Sequence, residues 1–191
     1  MAIRLIIGLG NPGSEYKQTR HNAGFWFLDM LGSDLHCSFK AEKRFSGDVA
    51  RCLIEQQDCR LLKPMTFMNR SGLPAASLMR FFDIAADEIL VVHDELDLSP
   101  GVARLKRGGG HGGHNGLRDL ISHLGSKDYL RLRMGIGHPG HKSQVSDYVL
   151  KAPSQTDRQQ IENAMYEVFR VIPAIMANDI EQAMHQLHSQ C

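Results

Sequence analysis

The residues most able to do chemistry lie between positions 88 and 118, in the segment EILVVHDELDLSPGVARLKRGGGHGGHNGLR. An apolar run from Ile89 to Val92 ends in His93, Asp94 and Glu95, as in a strand that is buried on both faces and carries polar groups to one edge of a parallel sheet. A carboxylate at such an edge can orient a histidine that removes a proton from water. Asp94 is therefore the first candidate catalytic residue.

A glycine-rich loop with basic neighbours follows this strand. Six glycines lie between positions 108 and 116, directly after Lys106 and Arg107. The apolar residues beyond the loop have helical spacing, at Leu117, Leu120, Ile121 and Leu124. Glycine allows backbone N–H groups to approach an anion, and a helix N-terminus favours negative charge. The loop and the carboxylate together predict a site for a phosphate-bearing substrate.

Strands and helices are predicted to alternate along the rest of the chain. The first strand covers Ile3 to Ile7 and ends near Asn11, where Asn-Pro-Gly favours a turn. Residues 46–54 and 59–63 alternate as two strands of a hairpin, and residues 130–137 as a later strand with Arg131 and Arg133 on one side. Apolar spacing predicts helices that begin near residues 22, 74, 117, 154 and 179.

This order of elements favours the α/β class: a single three-layer domain over residues 1–191, with a mixed, mostly parallel central sheet flanked by helices. The length of 191 residues suits one well-packed domain and is too short for two. Ligands of such sheets bind outside the carboxyl ends of the strands. That rule brings Asn11, His21, Asn69 and Asp94 to one edge of the sheet.

A histidine near a carboxylate predicts a hydrolytic mechanism. His21 can take a proton from water near neutral pH while Asp94 orients the ring and stabilises the imidazolium. The chain has no G-x-S-x-G motif and no obvious cysteine nucleophile, so a covalent intermediate is not expected. The asparagine amides at the same edge are suited to holding a peptide or fixing the water.

The charge of the chain is unevenly distributed. A formal net charge of +1 argues against a generally cationic nucleic-acid binder. Residues 101–142 nevertheless carry eight Lys and Arg against two Asp. This local excess predicts that one surface binds a polyanion.

Cysteine usage and hydropathy indicate the compartment. Neither C-x-x-C spacing nor a disulfide framework is found among Cys37, Cys52, Cys59 and Cys191. The N-terminal segment MAIRLIIGLG enters a strand without the features of a signal peptide, and no apolar segment reaches the roughly 20 residues that span a bilayer. We therefore expect a cytoplasmic protein with no membrane association.

Several long motifs resemble the bacterial-type peptidyl-tRNA hydrolase family: GLGNPGSEYKQTRHNAGFWFLD, LLKPMTFMNRSG, HDELDLSPG, KRGGGHGGHNGLRD and RLRMGIGHPG. They cover nearly the whole chain in the family's order, so together they are far more specific than any single motif. The resemblance implies a monomeric α/β enzyme without a metal or other cofactor. Its substrate would be peptidyl-tRNA, cleaved at the ester between the peptide and the 3′ ribose so that the tRNA is recycled.

The resemblance also implies roles for individual residues, carried over position by position. His21 would be the general base and Asp94 its partner. Asn11, together with Asn69 and Asn115, would bind the peptide and the attacking water. Asn11 is counted with His21 and Asp94 as a catalytic residue.

The remaining implied roles concern tRNA. Tyr16 and Phe67 would contact the substrate near the acceptor end, and Lys106 with Arg133 would clamp the 5′ phosphate. One departure from the family's pattern is Arg104, where a lysine is usual. The exchange keeps the charge and changes only the hydrogen-bonding geometry.

Each of these residues also has an ordinary structural interpretation. A histidine such as His21 often caps a helix or lies on the surface, and Asp94 could cap the turn that follows it. Asn69 and Asn115 are suitable N-caps for the helices they precede. The glycine run matches neither the Walker pattern nor G-x-G-x-x-G after a strand, and Phe67 could simply be packed.

Two rival functions are open at this stage. His93, His111 and His114 lie near Asp94 and Glu95 and could bind a metal, although their spacing matches no established metal motif. A chelator added to an activity assay distinguishes this case. The second rival is a noncatalytic RNA-binding relative with the same fold, which would be expected to lack the His21 and Asp94 pair.

Overall fold

A sheet of seven strands runs through the part of the chain that the computed structural model describes, residues 2–189. The strands are β1 (Leu5–Gly8), β2 (Lys40–Glu42), β3 (Gly47–Ile54), β4 (Gln57–Pro64), β5 (Ile89–Glu95), β6 (Ala103–Arg107) and β7 (Leu130–Gly135). The α-helices are α1 (Ala23–Asp34), α2 (Gly72–Phe82), α3 (Asn115–Leu124), α4 (Val145–Val149), α5 (Gln155–Met176) and α6 (Ile180–His188).

The strand order is β2-β3-β4-β1-β5-β7-β6. The four central strands, β4, β1, β5 and β7, pair in parallel. The hairpin strands β2 and β3 at one side, and β6 at the other, pair antiparallel. The carboxyl ends of the four central strands therefore meet at one edge of the sheet, as the sequence predicts for the α/β class.

Side chains of the central strands alternate between two apolar layers. Ile6, Leu90 and Val92 face a cluster that includes residues of α1, α5 and α6. Ile7 and Val91 face a second cluster that includes residues of α2 and α3. Because a strand has a side-chain period of two, continuous apolar runs cover both faces of the sheet. The helices flank the sheet on both sides and confirm the predicted three-layer arrangement.

Most of the predicted elements are present. The hairpin, the strand after residue 130 and the five helices predicted from apolar spacing are confirmed. Ser154 caps α5 by accepting a hydrogen bond from the backbone N–H of Asp157, and Asp179 caps α6 by accepting one from Gln182. Pro173 lies inside α5, which continues to Met176.

Two edge strands are absent from the prediction. β2 has three residues, too few for a recognisable alternation, and β6 carries charged residues at three of its five positions. An edge strand has one unpaired side and less apolar cover, so its sequence pattern is weak. The consequence is that Lys106 lies in a strand and not in the loop that follows.

The cysteine pattern predicts no disulfide, and this expectation is wrong for one pair. A disulfide joins Cys37, in the loop after α1, to Cys52 in β3. The antiparallel pairing of β2 with β3 brings these distant positions together, which spacing alone does not reveal. Cys59 is free and buried, and burial raises the pKa of its thiol to about 12. Cys191 lies outside the described residues.

No helix within residues 2–189 is both long and apolar enough to cross a membrane.

Candidate active site

The catalytic candidates are positioned by the ends of β1 and β5. Asp94 is the sixth residue of β5, whose apolar run buries the strand up to that point. His21 lies in a 3-10 turn, Arg20–Asn22, directly before α1. The Asn22 side chain holds this turn against the end of β1, since it accepts a hydrogen bond from the Asn11 N–H at 2.9 Å and donates one to the Asn11 carbonyl at 2.9 Å.

His21 and Asp94 form a buried pair. Nδ1 of His21 lies 3.0 Å and 2.9 Å from the two carboxylate oxygens of Asp94. Since a carboxylate only accepts hydrogen bonds, Nδ1 carries the proton and Nε2 keeps its lone pair. His21 is therefore not a helix cap and Asp94 is not a turn cap. The imidazole has the tautomer that a general base requires.

His114 is a second partner of Asp94, with Nε2 at 2.7 Å from Oδ1. Nδ1 of His114 accepts hydrogen bonds from the backbone N–H groups of Gly116 and Leu117, at 3.1 Å and 3.3 Å, and so caps α3. Because these N–H groups can only donate, the proton of His114 must be on Nε2. The capping role expected of Asn115 belongs to His114, and Asn115 is the first residue of the helix.

The electrostatics of the pair favour an ionised carboxylate beside a basic histidine. Burial lowers the pKa of His21, but the charge and hydrogen bond of Asp94 raise it, and the net result is a pKa above 6.5. Burial raises the pKa of Asp94, while the two histidines lower it, and the net result lies well below the usual range of a carboxyl group. Asp94 is thus charged throughout the neutral range.

The three histidines considered as metal ligands do not converge. His93 is buried and donates through Nδ1 to the carbonyl of Asp94 at 2.8 Å, and burial together with the nearby His114 lowers its pKa to about 4. His111 accepts a hydrogen bond from the N–H of Gly113.

A different trio, His21, Asp94 and His114, places its ligand atoms within 4.8 Å of one another. The nitrogen atoms that face Asp94 carry protons in the hydrogen-bond pattern above, and a ligating nitrogen must be deprotonated. A cation there would have to displace the protons that position the pair. The donor set fits a proton-transfer site better than a metal site.

Asn11 is fixed in one orientation. Its Oδ1 accepts a hydrogen bond from the backbone N–H of Met68 at 2.7 Å, so Nδ2 is left as a donor. Asn69 and Asn115 are exposed, and neither side chain has a hydrogen-bond partner within residues 2–189. Asn69 lies in a 3-10 turn and does not cap α2. All three amides are able to bind a ligand.

One cavity of about 870 Å³ joins these groups. All nine predicted site residues line it: Asn11, Tyr16, His21, Phe67, Asn69, Asp94, Lys106, Asn115 and Arg133. They come from five separate regions of the sequence, and the carboxyl edge of the sheet brings them together. This volume is in the range of small-molecule and substrate pockets.

The mouth of the cavity is partly aromatic. Phe67 is 57% exposed, and its ring lies edge-on to that of Tyr16 with 6.3 Å between the centroids. An aromatic ring exposed to this extent is suited to stacking against a flat group of a ligand. The interpretation of Phe67 as a packed core residue is therefore wrong.

A further part of the cavity lining comes from residues 138–150, for which the sequence predicts no individual site residue. Lys142, Val145, Ser146, Val149 and Leu150 line the cavity there. This segment follows β7, the last parallel strand, so the rule about strand ends could have indicated it. Apart from Lys142, these five side chains carry no charge, so their sequence gives no sign of a binding role.

The basic side of the cavity is formed by β6 and β7. Arg133 donates through Nε to Glu95 at 2.7 Å, in a partly buried ion pair. Arg104 donates to the carbonyl of His188 at 3.2 Å. Lys106 has no carboxylate partner within residues 2–189 and is exposed. The guanidinium of Arg133 is thus held in place, whereas the ammonium of Lys106 is available to an anion.

A three-layer α/β fold with a histidine–aspartate pair, three amides and cations around one cavity is typical of hydrolases in which a general base activates water. The peptidyl-tRNA hydrolase family model matches residues 5–191, and the chain belongs to that family.

Individual relatives agree with this assignment. Peptidyl-tRNA hydrolase of Neisseria meningitidis serogroup A is 54% identical over 188 residues, which is 98% of each chain. The enzyme of Halorhodospira halophila is 54% identical over 97% of this chain and 96% of its own. A crystal structure of peptidyl-tRNA hydrolase from Acinetobacter baumannii has a TM-score of 0.94 at 48% identity, covering 97% of this chain and 94% of that one.

A more distant structure shows the extent of the fold. Purine nucleoside phosphorylase from Toxoplasma gondii has a TM-score of 0.54 at 9% identity. At that identity the likeness concerns the arrangement of strands and helices alone.

Proposed function

We propose that this protein hydrolyses the ester bond between a peptide, or an N-blocked amino acid, and the 3′ ribose of tRNA. It thereby recycles tRNA from prematurely released peptidyl-tRNA. The observation that carries the proposal is the His21–Asp94 pair, buried at one end of a cavity whose other side is cationic. Membership of the peptidyl-tRNA hydrolase family supports the choice of ester.

The reaction begins with a proton transfer to His21. Nε2 accepts a proton from a water molecule as the water oxygen attacks the ester carbonyl, and Asp94 stabilises the imidazolium that forms. Collapse of the tetrahedral intermediate breaks the bond to the ribose 3′ oxygen. The imidazolium returns its proton to that oxygen, which gives free tRNA and a peptide carboxylic acid. No bond forms between the enzyme and the acyl group.

Asn11 is the proposed donor to the developing oxyanion or to the adjacent peptide carbonyl. Its Oδ1 is occupied by the Met68 N–H, so the Nδ2 hydrogens are directed to other acceptors. A preorganised donor of this kind stabilises charge without reorienting during the reaction. Asn69 and Asn115, which line the same cavity, are the proposed ligands of the peptide and the attacking water.

The tRNA is recognised through features that every tRNA shares. Lys106 and Arg133 are proposed to bind the 5′ phosphate, and Tyr16 with Phe67 to contact the acceptor end. Arg133 already donates to Glu95, which leaves its terminal amino groups for the phosphate. Contacts of this type position a nucleic acid without reading its sequence.

Further properties of the whole chain belong to the same proposal. We infer a single peptidyl-tRNA hydrolase-like domain over residues 1–191 that acts as a monomer in the cytoplasm without a metal. The location follows from the substrate, which arises from translation. Sedimentation equilibrium tests the monomer, and full activity in the presence of EDTA tests the absence of an essential metal.

The deciding experiment measures release of free tRNA from N-acetyl-aminoacyl-tRNA by the purified protein. The hydrolase account predicts multiple turnovers with equal amounts of tRNA and acyl product. A protein that binds this substrate in a filter assay and releases no tRNA would instead be the noncatalytic RNA-binding relative. His185→Ala, on the exposed surface of α6, is a matched control for variants of His21.

A further inference from the structure

Arg131 is a buried arginine without an acidic partner in the described part of the chain. It is 3% exposed, and its guanidinium carbon lies 4.9 Å from the centroid of the Tyr129 ring. The two terminal nitrogens donate to loop carbonyls, Nη1 to Gly110 at 2.6 Å and Nη2 to Gly109 at 2.5 Å. Burying a guanidinium is costly unless hydrogen bonds compensate it, and here the compensating carbonyls belong to the glycine loop.

These two contacts fix the direction of the loop N–H groups. In a trans peptide unit the C=O of one residue and the N–H of the next point in opposite directions, and no cis peptide is present among residues 2–189. With the carbonyls of Gly109 and Gly110 turned to Arg131, the N–H groups of Gly110 and His111 point away from it. Both residues line the cavity. Neither N–H has a protein partner in the described residues.

Lys106 lies beside both Arg131 and the glycine loop. Lys106 and Arg131 are directly opposite each other on β6 and β7, so two cations share one side of the sheet. The side chain of Lys106 packs against Gly109, because a Cβ at that position would be 2.9 Å from Lys106 Cε and 3.0 Å from Nζ. Gly109 has φ of +101°, a conformation that L side chains rarely adopt, and the missing side chain leaves room for the lysine.

We propose that Arg131 is a positioning residue that prepares the glycine loop and Lys106 to bind one phosphate group of the substrate. It turns two loop carbonyls inward, presents two amide donors outward, and keeps a positive charge beneath them. A phosphate oxygen bound there relieves the repulsion between the two adjacent cations. The inference rests on the proposed tRNA substrate, and the phosphate is either the 5′-terminal one or a diester near the 3′ end.

Arg131→Lys tests this role because it keeps the charge but removes the two-pronged contact. We expect KM for N-acetyl-aminoacyl-tRNA to rise by about 3–10-fold, with kcat changed by less than about twofold. Arg51→Lys, an exposed arginine on β3 that does not line the cavity, is the matched control and should leave both constants unchanged. An Arg131→Lys variant with a lower kcat and a higher KM on every substrate would show a general structural role and overturn the proposal.

Three substrates distinguish the source of the phosphate. Intact tRNA carries both kinds of phosphate, tRNA stripped of its 5′ phosphate carries only diesters, and an N-acetyl-aminoacyl-adenosine carries none. The rise in KM caused by Arg131→Lys should vanish on the adenosine ester. If the rise persists on the stripped tRNA, the bound phosphate is a diester. If it disappears there, the bound phosphate is the 5′-terminal one. Hydrolysis of all three by the wild type establishes the proposed function separately. An undiminished defect on the adenosine ester contradicts the inference.

Gly109→Ala provides a test that leaves Arg131 intact. The added methyl group displaces Lys106, so the variant should show the same rise in KM on tRNA. Gly140→Ala is its control, since Gly140 has nearly the same φ, +100°, but a Cβ there would meet nothing within 4 Å. Combining Arg131→Lys with Lys106→Ala should raise KM by less than the product of the single effects. Equal defects in the two glycine variants, or full additivity, would refute the role.

Discussion

Replacement of Asp94 by asparagine should switch His21 to the wrong tautomer. An asparagine offers one acceptor and one donor where the carboxylate offers two acceptors. His114 can only donate to position 94, because its other nitrogen caps α3. The new Oδ1 will therefore face His114, and the new Nδ2 will face Nδ1 of His21. A donor then faces Nδ1 of His21 at the shorter of its two contacts, which favours the tautomer with the proton on Nε2, the atom that should accept a proton from water.

The magnitude follows from the contact distance. Nδ1 of His21 is 2.9 Å from a carboxylate oxygen, so the two charge centres are about 4 Å apart when the imidazolium forms, and the attraction is about 4 kcal/mol in a medium of dielectric near 20. Loss of that stabilisation lowers kcat by about 10³-fold. The tautomer change acts in the same direction, so the total loss should be about 10³–10⁴-fold.

The pH dependence of kcat/KM tests the same interaction independently, through the pKa of His21. Activity requires neutral His21, so kcat/KM of the wild type should rise with pH through a pKa above 6.5. In Asp94→Asn only burial acts on the histidine, and burial lowers its pKa. The acidic limb of the residual activity should therefore move to lower pH, although the rate is smaller.

The assay compares initial rates of N-acetyl-aminoacyl-tRNA cleavage between pH 5 and 9, with melting temperatures measured in parallel. Asp128→Asn, an exposed aspartate before β7, is the control and should match the wild type. The reasoning fails if Asp94→Asn retains wild-type kcat, or if its acidic limb stays in place. Loss of the fold with no separate catalytic defect would favour a purely structural aspartate.

Other perturbations test the remaining parts of the site. Lys106→Ala and Arg133→Ala should each raise KM for peptidyl-tRNA, and each should reduce the salt dependence of binding by roughly one unit or less in slope. Both should be nearly silent on tRNA without its 5′ phosphate, as steady-state kinetics will show. His114→Ala removes both a helix cap and a partner of Asp94, so calorimetry should find a loss of about 1–2 kcal/mol in stability together with a lower kcat. Phe67→Ala should raise KM and leave the melting temperature unchanged, because the ring is largely exposed.

The sequence predicts the fold and the location of the site well, for a physical reason. Long apolar runs such as residues 89–92 are readable as buried strands, and parallel strands deliver the residues after them to one edge. Asn11 and Asp94 can be placed together from this rule alone. The assignment of His21 as the base required the resemblance to a family, since a histidine before a helix has several ordinary roles.

Other features depend on tertiary contacts and could not be read from spacing. The tautomer of His114 follows from two backbone N–H groups that exist only once α3 has formed. Arg131 and Arg133 are two residues apart and therefore lie on the same face of β7. Arg131 nevertheless donates to the glycine loop, whereas Arg133 pairs with Glu95. Their partners come from distant segments, so the sequence pattern treats them as equivalent.

The most direct test of the account is the rate of ester cleavage by His21→Ala under single-turnover conditions. The account predicts that this variant binds N-acetyl-aminoacyl-tRNA with nearly wild-type affinity and cleaves it at least about 10³-fold more slowly, because the general base has been removed. His185→Ala should cleave at the wild-type rate. Cleavage by His21→Ala at the rate of the wild type would contradict the account.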